Sequence, residues 1–355
     1  MSQSASSQKE TAQVLIKKNR IPVAQIVLVG FLPSFLKKFV YRLKGYKIGP
    51  GVKLSLGCVL IGKEVSIGQN TSIGFFTIVR ARKILLGRFV KIGAMSAIDT
   101  ESFSMDDDAR INEQVYIGGI KKPKSALIMG KRTIIMQGSY INPTEPITIG
   151  DDSGIGGNCL LFTHGSWNSQ LEGYPVKFAP ITIGKKVWLP WRVFVMPGVT
   201  IGDGAVIGAD STLTKDVPSG ALAAGSPAKV LKENVAVTHS PEEKRKIILT
   251  IFAEFKEHLQ HYGFSCSDEK GSYAIKGEHG NSTIVYSQNI SSAHATTTTD
   301  NILVLDNATP DELRNTKNYS MIVSLSSNSR IGSSKAGEEL VNFFSRYGIR
   351  FNRLD

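Results

Sequence analysis

Residues 147–166 read ITIGDDSGIGGNCLLFTHGS, and His164 ends a run in which Ile149, Ile155 and Leu161 recur at every sixth position. No other histidine precedes His239. Neutral imidazole can take a proton near pH 7 and so serve as a general base. Acyl transfer to a hydroxyl needs that step, because the alcohol is a poor nucleophile until its proton is withdrawn; a positioned base contributes about 10²–10⁴-fold. The competing reading of His164 is a surface-loop histidine with no chemical task. Zinc catalysis through three imidazoles is excluded, since a catalytic zinc takes about three protein ligands and this region offers one histidine. No metal is expected.

The elements that must hold His164 follow a period of six. Ile61, Ile67 and Ile73 form one run, Leu86 and Ile92 resume it after one extra residue, and Ile183, Leu189, Val195, Ile201, Ile207 and Leu213 form the longest. Neither a helical period nor strand alternation accounts for this spacing. A β-solenoid does: each unit is a short strand and a turn, the aliphatic points to the axis, and the following glycine is expected to permit the corner. Three units close one coil, and each coil buries its neighbour's core. Two excursions from the coils are expected, at 99–126 with the acidic Asp106-Asp107-Asp108, and at 165–180 directly after His164. Loops inserted into a rigid solenoid commonly form binding sites.

Residues 47–233, and most sharply VW, PGVTIGDGAVIGA, TKDVP and AGSPAKVLKE, resemble the hexapeptide-repeat acyltransferases of the sugar O-acetyltransferase type. The resemblance implies a mainly β fold, a left-handed parallel β-helix, whose hand is an exception to the usual right-handed crossover. It implies acetyl transfer from acetyl-CoA to a saccharide hydroxyl, in surface polysaccharide or glycoconjugate synthesis. His164 takes the place of the family's base. Asn142 matches an asparagine that contacts the acceptor, or is a turn asparagine bonding its own backbone. Trp167 and Glu172, on the loop after His164, are assigned to the acceptor side, and Glu172 is also a candidate to orient the imidazole. Trp191, Ala209, Thr214 and Lys215 fall where relatives line the pantetheine arm of the coenzyme. Lys229 and Lys232 fall where relatives meet its phosphates, a task suited to point charges; their bland reading is solvated end-cap lysines. The bulk of Trp191, where relatives often have a small or polar residue, favours acetyl over longer chains. A homotrimer, with the site in the cleft between solenoids, is implied as well. Amino-sugar N-acetylation and a non-catalytic scaffold remain the alternatives.

Composition sets the surroundings. Forty-two Lys and Arg against thirty Asp and Glu give a formal charge of +12, which suits anionic partners. No basic run is interleaved with aromatics, so nucleic acid is not expected. Three scattered cysteines with no CxxC pair fit reduced thiols and a cytoplasmic setting. Residues 1–46 are expected as a disordered start, MSQSASSQKETAQ, followed by an amphipathic helical arm. Phe35, Leu36, Phe39, Val40 and Leu43 share one helical face, opposed by Lys37, Lys38, Arg42 and Lys44. Two readings stay open for residues 21–47: peripheral contact with the inner face of a membrane, or a helix covering one end of the 47–235 solenoid. Residues 236–355 lose the period and read as a small α/β domain of unassigned role, opened by a capping box at Ser240-Pro-Glu-Glu243. His258 and His261 share a helical face there, while His279 and His294 are scattered; no third metal ligand is identifiable.

Overall fold

The computed structural model describes residues 22–269, 272–277, 280–293 and 300–355. The expected disordered start, His279 and His294 lie outside them. The chain divides into two compact units, with the boundary between Ala236 and Val237.

The first unit is a three-faced parallel β-solenoid. Its strands form three sheets, one per face, and each strand pairs in parallel with its counterpart one coil on. Ile48 pairs with Ile67, Ile67 with Leu86 and Leu86 with Met105, so each of these coils is three hexapeptides plus a single residue absorbed at a corner. The last full step, Ile183 to Ile201, is three hexapeptides with nothing added. On the third face Ile117, Ile141, Leu161, Val195 and Leu213 stack in register, all buried. Buried hydroxyls stitch the corners: Thr77 Oγ1 donates to the Gly93 carbonyl at 2.6 Å and accepts from the Ser96 amide at 3.3 Å. The Thr77 hydroxyl, taken inside the corner, thus finds both partners in the neighbouring coil.

The repeat glycine has a different role from the one its spacing suggests. The left-handed corner positions are held mostly by other residues, such as Asn70 (φ 56°), Phe76 (φ 52°) and Asp152 (φ 61°). Gly68, which follows Ile67, has no such φ, but a Cβ there would lie 2.5 Å from the Gly87 carbonyl carbon. Glycine is needed because the next coil's backbone passes too close for a side chain.

The excursion expected at 99–126 is mostly solenoid. Strands Ser102–Met105, Arg110–Ile111 and Tyr116–Gly118 make a regular coil, with Phe103, Met105, Ile111 and Ile117 inside. Only residues 119–125 leave it. Asp107 is no free loop carboxylate: it accepts from the Arg88 amide at 2.6 Å and pairs with the Arg88 guanidinium at 3.0 Å.

The helical arm comprises α1 (Val23–Gly30), which ends as a π-helix, and α2 (Ser34–Leu43), set at 117° to each other. It covers the first coil, with Val29, Leu32, Val40 and Tyr41 against the core and polar groups bonded to the coil's edge. The Leu54 amide donates to Ser34 Oγ at 3.0 Å, and the Leu60 amide to the Tyr41 hydroxyl at 2.9 Å. Lys37, fully buried, donates to the Ser55 carbonyl, and the Gly57 amide donates to the Gly30 carbonyl at 2.6 Å. The first coil has no coil beneath it, and these groups replace the missing neighbour. At the other end the antiparallel pair Leu222–Gly225 and Ala228–Lys232 closes the stack.

The second unit is a seven-stranded mixed sheet with its strands in chain order. Helix α3 (Pro241–His261) starts at the expected capping box: Ser240 Oγ accepts from the Glu243 amide at 3.2 Å, and Glu243 Oε2 from the Ser240 amide at 2.7 Å. The short α4 (Pro310–Asn315) precedes α5 (Lys335–Arg346). Ile251, Phe252 and Phe255 of α3 join Leu340 and Phe344 of α5 in one core against the sheet. The sequence does not reveal the strands Ser265–Glu269, Ser272–Gly277 and Ser329–Gly332. Their polar composition lacks the alternation that marks a half-buried strand.

Tyr41→Phe removes the acceptor for the buried Leu60 amide without opening a cavity. It should cost about 1–3 kcal/mol, read as a lowered midpoint in denaturant unfolding of the full chain.

Candidate functional site

His164 stands where the sixth coil gives way to the long loop. The strand Leu160–Phe162 ends the coil's third face, and His164–Gly165 then pairs antiparallel with Lys177–Phe178, so the loop leaves and returns as a ribbon. The Ala179 amide donates to the Thr163 carbonyl at 3.0 Å and fastens the return. His164 and Phe178 face each other across the ribbon, their rings 5.5 Å apart and nearly parallel.

A second segment reaches the same corner. Residues 119–125 fold back so that Lys122 Nζ lies 3.6 Å from the centre of the Phe178 ring and 2.8 Å from Glu145 Oε1. The segment is pinned by Ser125 Oγ, which donates to the Thr144 carbonyl at 2.8 Å and accepts from the Lys122 amide at 2.8 Å. Lys122, Glu145 and Phe178 have no signal in the sequence, because they come from three turns well separated along the chain. Only the stacking of coils brings them together.

Burial pushes the His164 imidazole below its ordinary pKa, and the Lys122 ammonium pushes it further the same way. At neutral pH the ring is therefore uncharged, the form that accepts a proton. Its Nδ1 is buried and has no hydrogen-bond partner among the described residues.

The expected acceptor residues part company. Asn142 is 3% exposed, and its Oδ1 accepts from the Thr144 hydroxyl at 2.8 Å. It is buried, and its side chain bonds the Thr144 hydroxyl rather than its own backbone, so it presents no open surface to an acceptor. Trp167 is 98% exposed near the start of the loop, and Glu172 is exposed in its 3₁₀ turn, Gln170–Glu172. Glu172 does not meet His164 Nδ1.

The expected coenzyme residues fall on the last coils, all accessible. Trp191 and Ala209 occupy one corner, and Thr214 and Lys215 the corner at the other end of the same face, across strands Phe194–Val195 and Thr212–Leu213. The Trp191 ring lies against Gly157, where a Cβ would come within 2.1 Å of it. Lys229 and Lys232 are on the closing hairpin, opposite Ala224 and Leu222. An exposed aromatic wall and three exposed lysines suit a ligand with an apolar arm and phosphates. Among the described residues, no group of three His, Cys, Asp or Glu could hold a metal.

Residues 180–215 match the family model described as hexapeptide repeat of succinyl-transferase. The last coils of the three-faced solenoid are thus hexapeptide repeats. Of the curated relatives, "Putative colanic acid biosynthesis acetyltransferase WcaF" of Escherichia coli strain K12 is 45% identical over 89 residues, 25% of this chain and 48% of that protein. Galactoside O-acetyltransferase of the same strain is 44% identical over 90 residues, 24% of this chain and 44% of that protein. The chain thus spans about half the length of the curated relatives it matches. The crystal structure of the polySia-specific acetyltransferase NeuO covers 56% of this chain and 89% of its own, at 26% identity and a TM-score of 0.35.

Lys122→Met in the hexapeptide-repeat domain removes a cation from beside His164 and frees the Glu145 carboxylate. Loss of the cation favours the imidazolium. The His164 pKa should rise, read by NMR titration of its ring protons against the parent protein.

Proposed function

We propose that the chain is a coenzyme A-dependent O-acetyltransferase, moving acetyl from acetyl-CoA to a saccharide hydroxyl during cytoplasmic assembly of a surface polysaccharide or glycoconjugate. The observation that carries this reading is His164: an uncharged, half-buried imidazole at the root of a long loop, on a hexapeptide-repeat scaffold. The names of the curated relatives, acetyltransferases of colanic acid biosynthesis and of galactosides, support the acceptor class.

In this mechanism the acceptor hydroxyl loses its proton to His164 as its oxygen attacks the acetyl carbonyl. The new C–O bond forms, the C–S bond breaks, and the imidazolium returns the proton to the departing sulfur. Acetyl-CoA supplies the activated thioester, so no metal is called for. Backbone amides bordering the cleft stabilise the tetrahedral oxyanion, a contribution of several kcal/mol where donors are preorganised. Burial, with Lys122 beside it, keeps the imidazole uncharged between turnovers, and Phe178 fixes the plane of the ring. Trp191, Ala209, Thr214 and Lys215 would line the pantetheine arm, and Lys229 and Lys232 would meet the phosphates. The glycine-backed Trp191 favours a short acyl group.

The homotrimer belongs to the same proposal. The loop holds out Trp167 and Leu171, 98% and 100% exposed, as apolar surface for a partner copy to cover. A neighbouring solenoid would cover them and place the coenzyme residues of one copy across from His164 of the next.

The test follows free thiol release from acetyl-CoA with a panel of sugars. His164→Ala should reduce acceptor-dependent release by about 10²–10⁴-fold while acetyl-CoA still binds; unchanged release would remove His164 as the base. In the parent enzyme the acid limb of the rate profile reports the His164 pKa, and Lys122→Met should move that limb to higher pH. Trp167→Asp with Leu171→Asp should reduce the native mass measured by light scattering.

A further inference from the structure

The arm presents its apolar side outward. Lys37, Tyr41 and Ser34 are committed to the first coil, so the opposite face of α2 points to solvent: Phe35 is 66% exposed, Phe39 60% and Leu43 73%. Helix α1 continues the surface with Val27, Leu28 and, just past its end, Phe31, exposed likewise. Phe31 also meets Phe76 on the solenoid corner edge-on, with centroids 6.4 Å apart, and Phe75 and Leu56 are exposed on that corner. The apolar surface therefore runs unbroken from the arm onto the first coils.

Its charge is one-sided. From Pro22 to Lys63 the chain has seven Lys or Arg and no Asp or Glu. Lys38 and Arg42 border the apolar stripe of α2 rather than opposing it, and Lys44, Lys47 and Lys53 are exposed, as is Arg42, which also donates to the Ile48 carbonyl at 2.9 Å. Among the described residues no single helix is long and apolar enough to cross a membrane, and the bent pair changes direction by 117°. An outward apolar stripe, bordering cations and no carboxylate match an anionic bilayer surface, which takes the apolar face between its headgroups and attracts each nearby cation. A second copy of the chain would bring the same cations against themselves.

We propose that residues 22–46 are a rigid interfacial anchor for anionic lipid, with α1 and α2 lying in the membrane plane and the solenoid standing on them. The anchor does not depend on the acetyl-transfer reading. Full-length protein is sedimented with vesicles of phosphatidylcholine alone or mixed with phosphatidylglycerol. The protein should pellet with the mixed vesicles, less so as salt is raised. Phe35→Glu with Phe39→Glu should weaken pelleting by more than about tenfold. The melting temperature of this variant should not change, because both side chains point away from the coil. Equal pelleting with both vesicle types, or with parent and variant, overturns the proposal. A lower native mass in the variant, with vesicle binding retained, also overturns it and assigns the face to a second copy. Thiol release plays no part in this readout, so failure of the anchor and failure of the enzyme reading are told apart.

Discussion

A stack of parallel coils satisfies its backbone from within, except at its two ends. There a row of amides or carbonyls has no next coil to bond, and leaving such groups unpaired inside a fold costs about 1–3 kcal/mol each. The upper end is closed by the antiparallel hairpin of Leu222–Gly225 and Ala228–Lys232. The lower end is closed by side chains: Ser34 and Tyr41 accept from the amides of Leu54 and Leu60, and Lys37 donates to a carbonyl. A helix that must offer oxygen and nitrogen to a strand edge has to turn its polar side inward. Its phenylalanines are then left outside, against the ordinary rule that apolar stripes pack. The same closure also keeps the edge from recruiting strands of other chains.

The corners obey a related constraint. Strand pairing fixes every face, so extra residues can leave the solenoid only where one face turns into the next. The segments 119–125 and 165–177 both depart from the corner that ends the third face, on either side of the turn that carries Glu145, and so lean together. This gathers Lys122, Glu145, His164 and Phe178 with no dedicated element to hold them. Partial loss of solvent and proximity of the ammonium both depress the imidazole pKa, so the ring is kept neutral by its position on the scaffold.

Much of this is legible in residue order. The period of six exposes the solenoid because each face demands one buried aliphatic per coil, and His164 stands out by breaking it. The coil through Phe103, Met105, Ile111 and Ile117 is masked. Its inward residues include an aromatic and a thioether, and Asp106-Asp107-Asp108 reads as solvent when the partner of Asp107, Arg88, lies a coil away. The two faces of α2 are plain from the helical wheel, but which one turns inward is set by the hydrogen-bonding need of the first coil. Asn142 is visible as an unusual residue; its burial and its bond to Thr144 depend on the neighbouring corner. In the second unit, hydrophobic strands and capped helices announce themselves, while the polar strands between Ser265 and Gly277 do not.

The coil register also makes the solenoid a measuring rod. From Leu60, beside the arm, the third face climbs through Val79, Ile98, Ile117 and Ile141 to Leu161, just short of His164. Five parallel steps at about 4.8 Å each set these two levels roughly 24 Å apart. A loop or linker would let that height drift, but a stack of paired strands does not. The separation can change only by whole coils, through gain or loss of one complete three-stranded coil at once, and each such change would leave the corner at His164 and the seal at Tyr41 untouched. Reach is thus a property separable from both ends, adjustable in increments of one strand spacing.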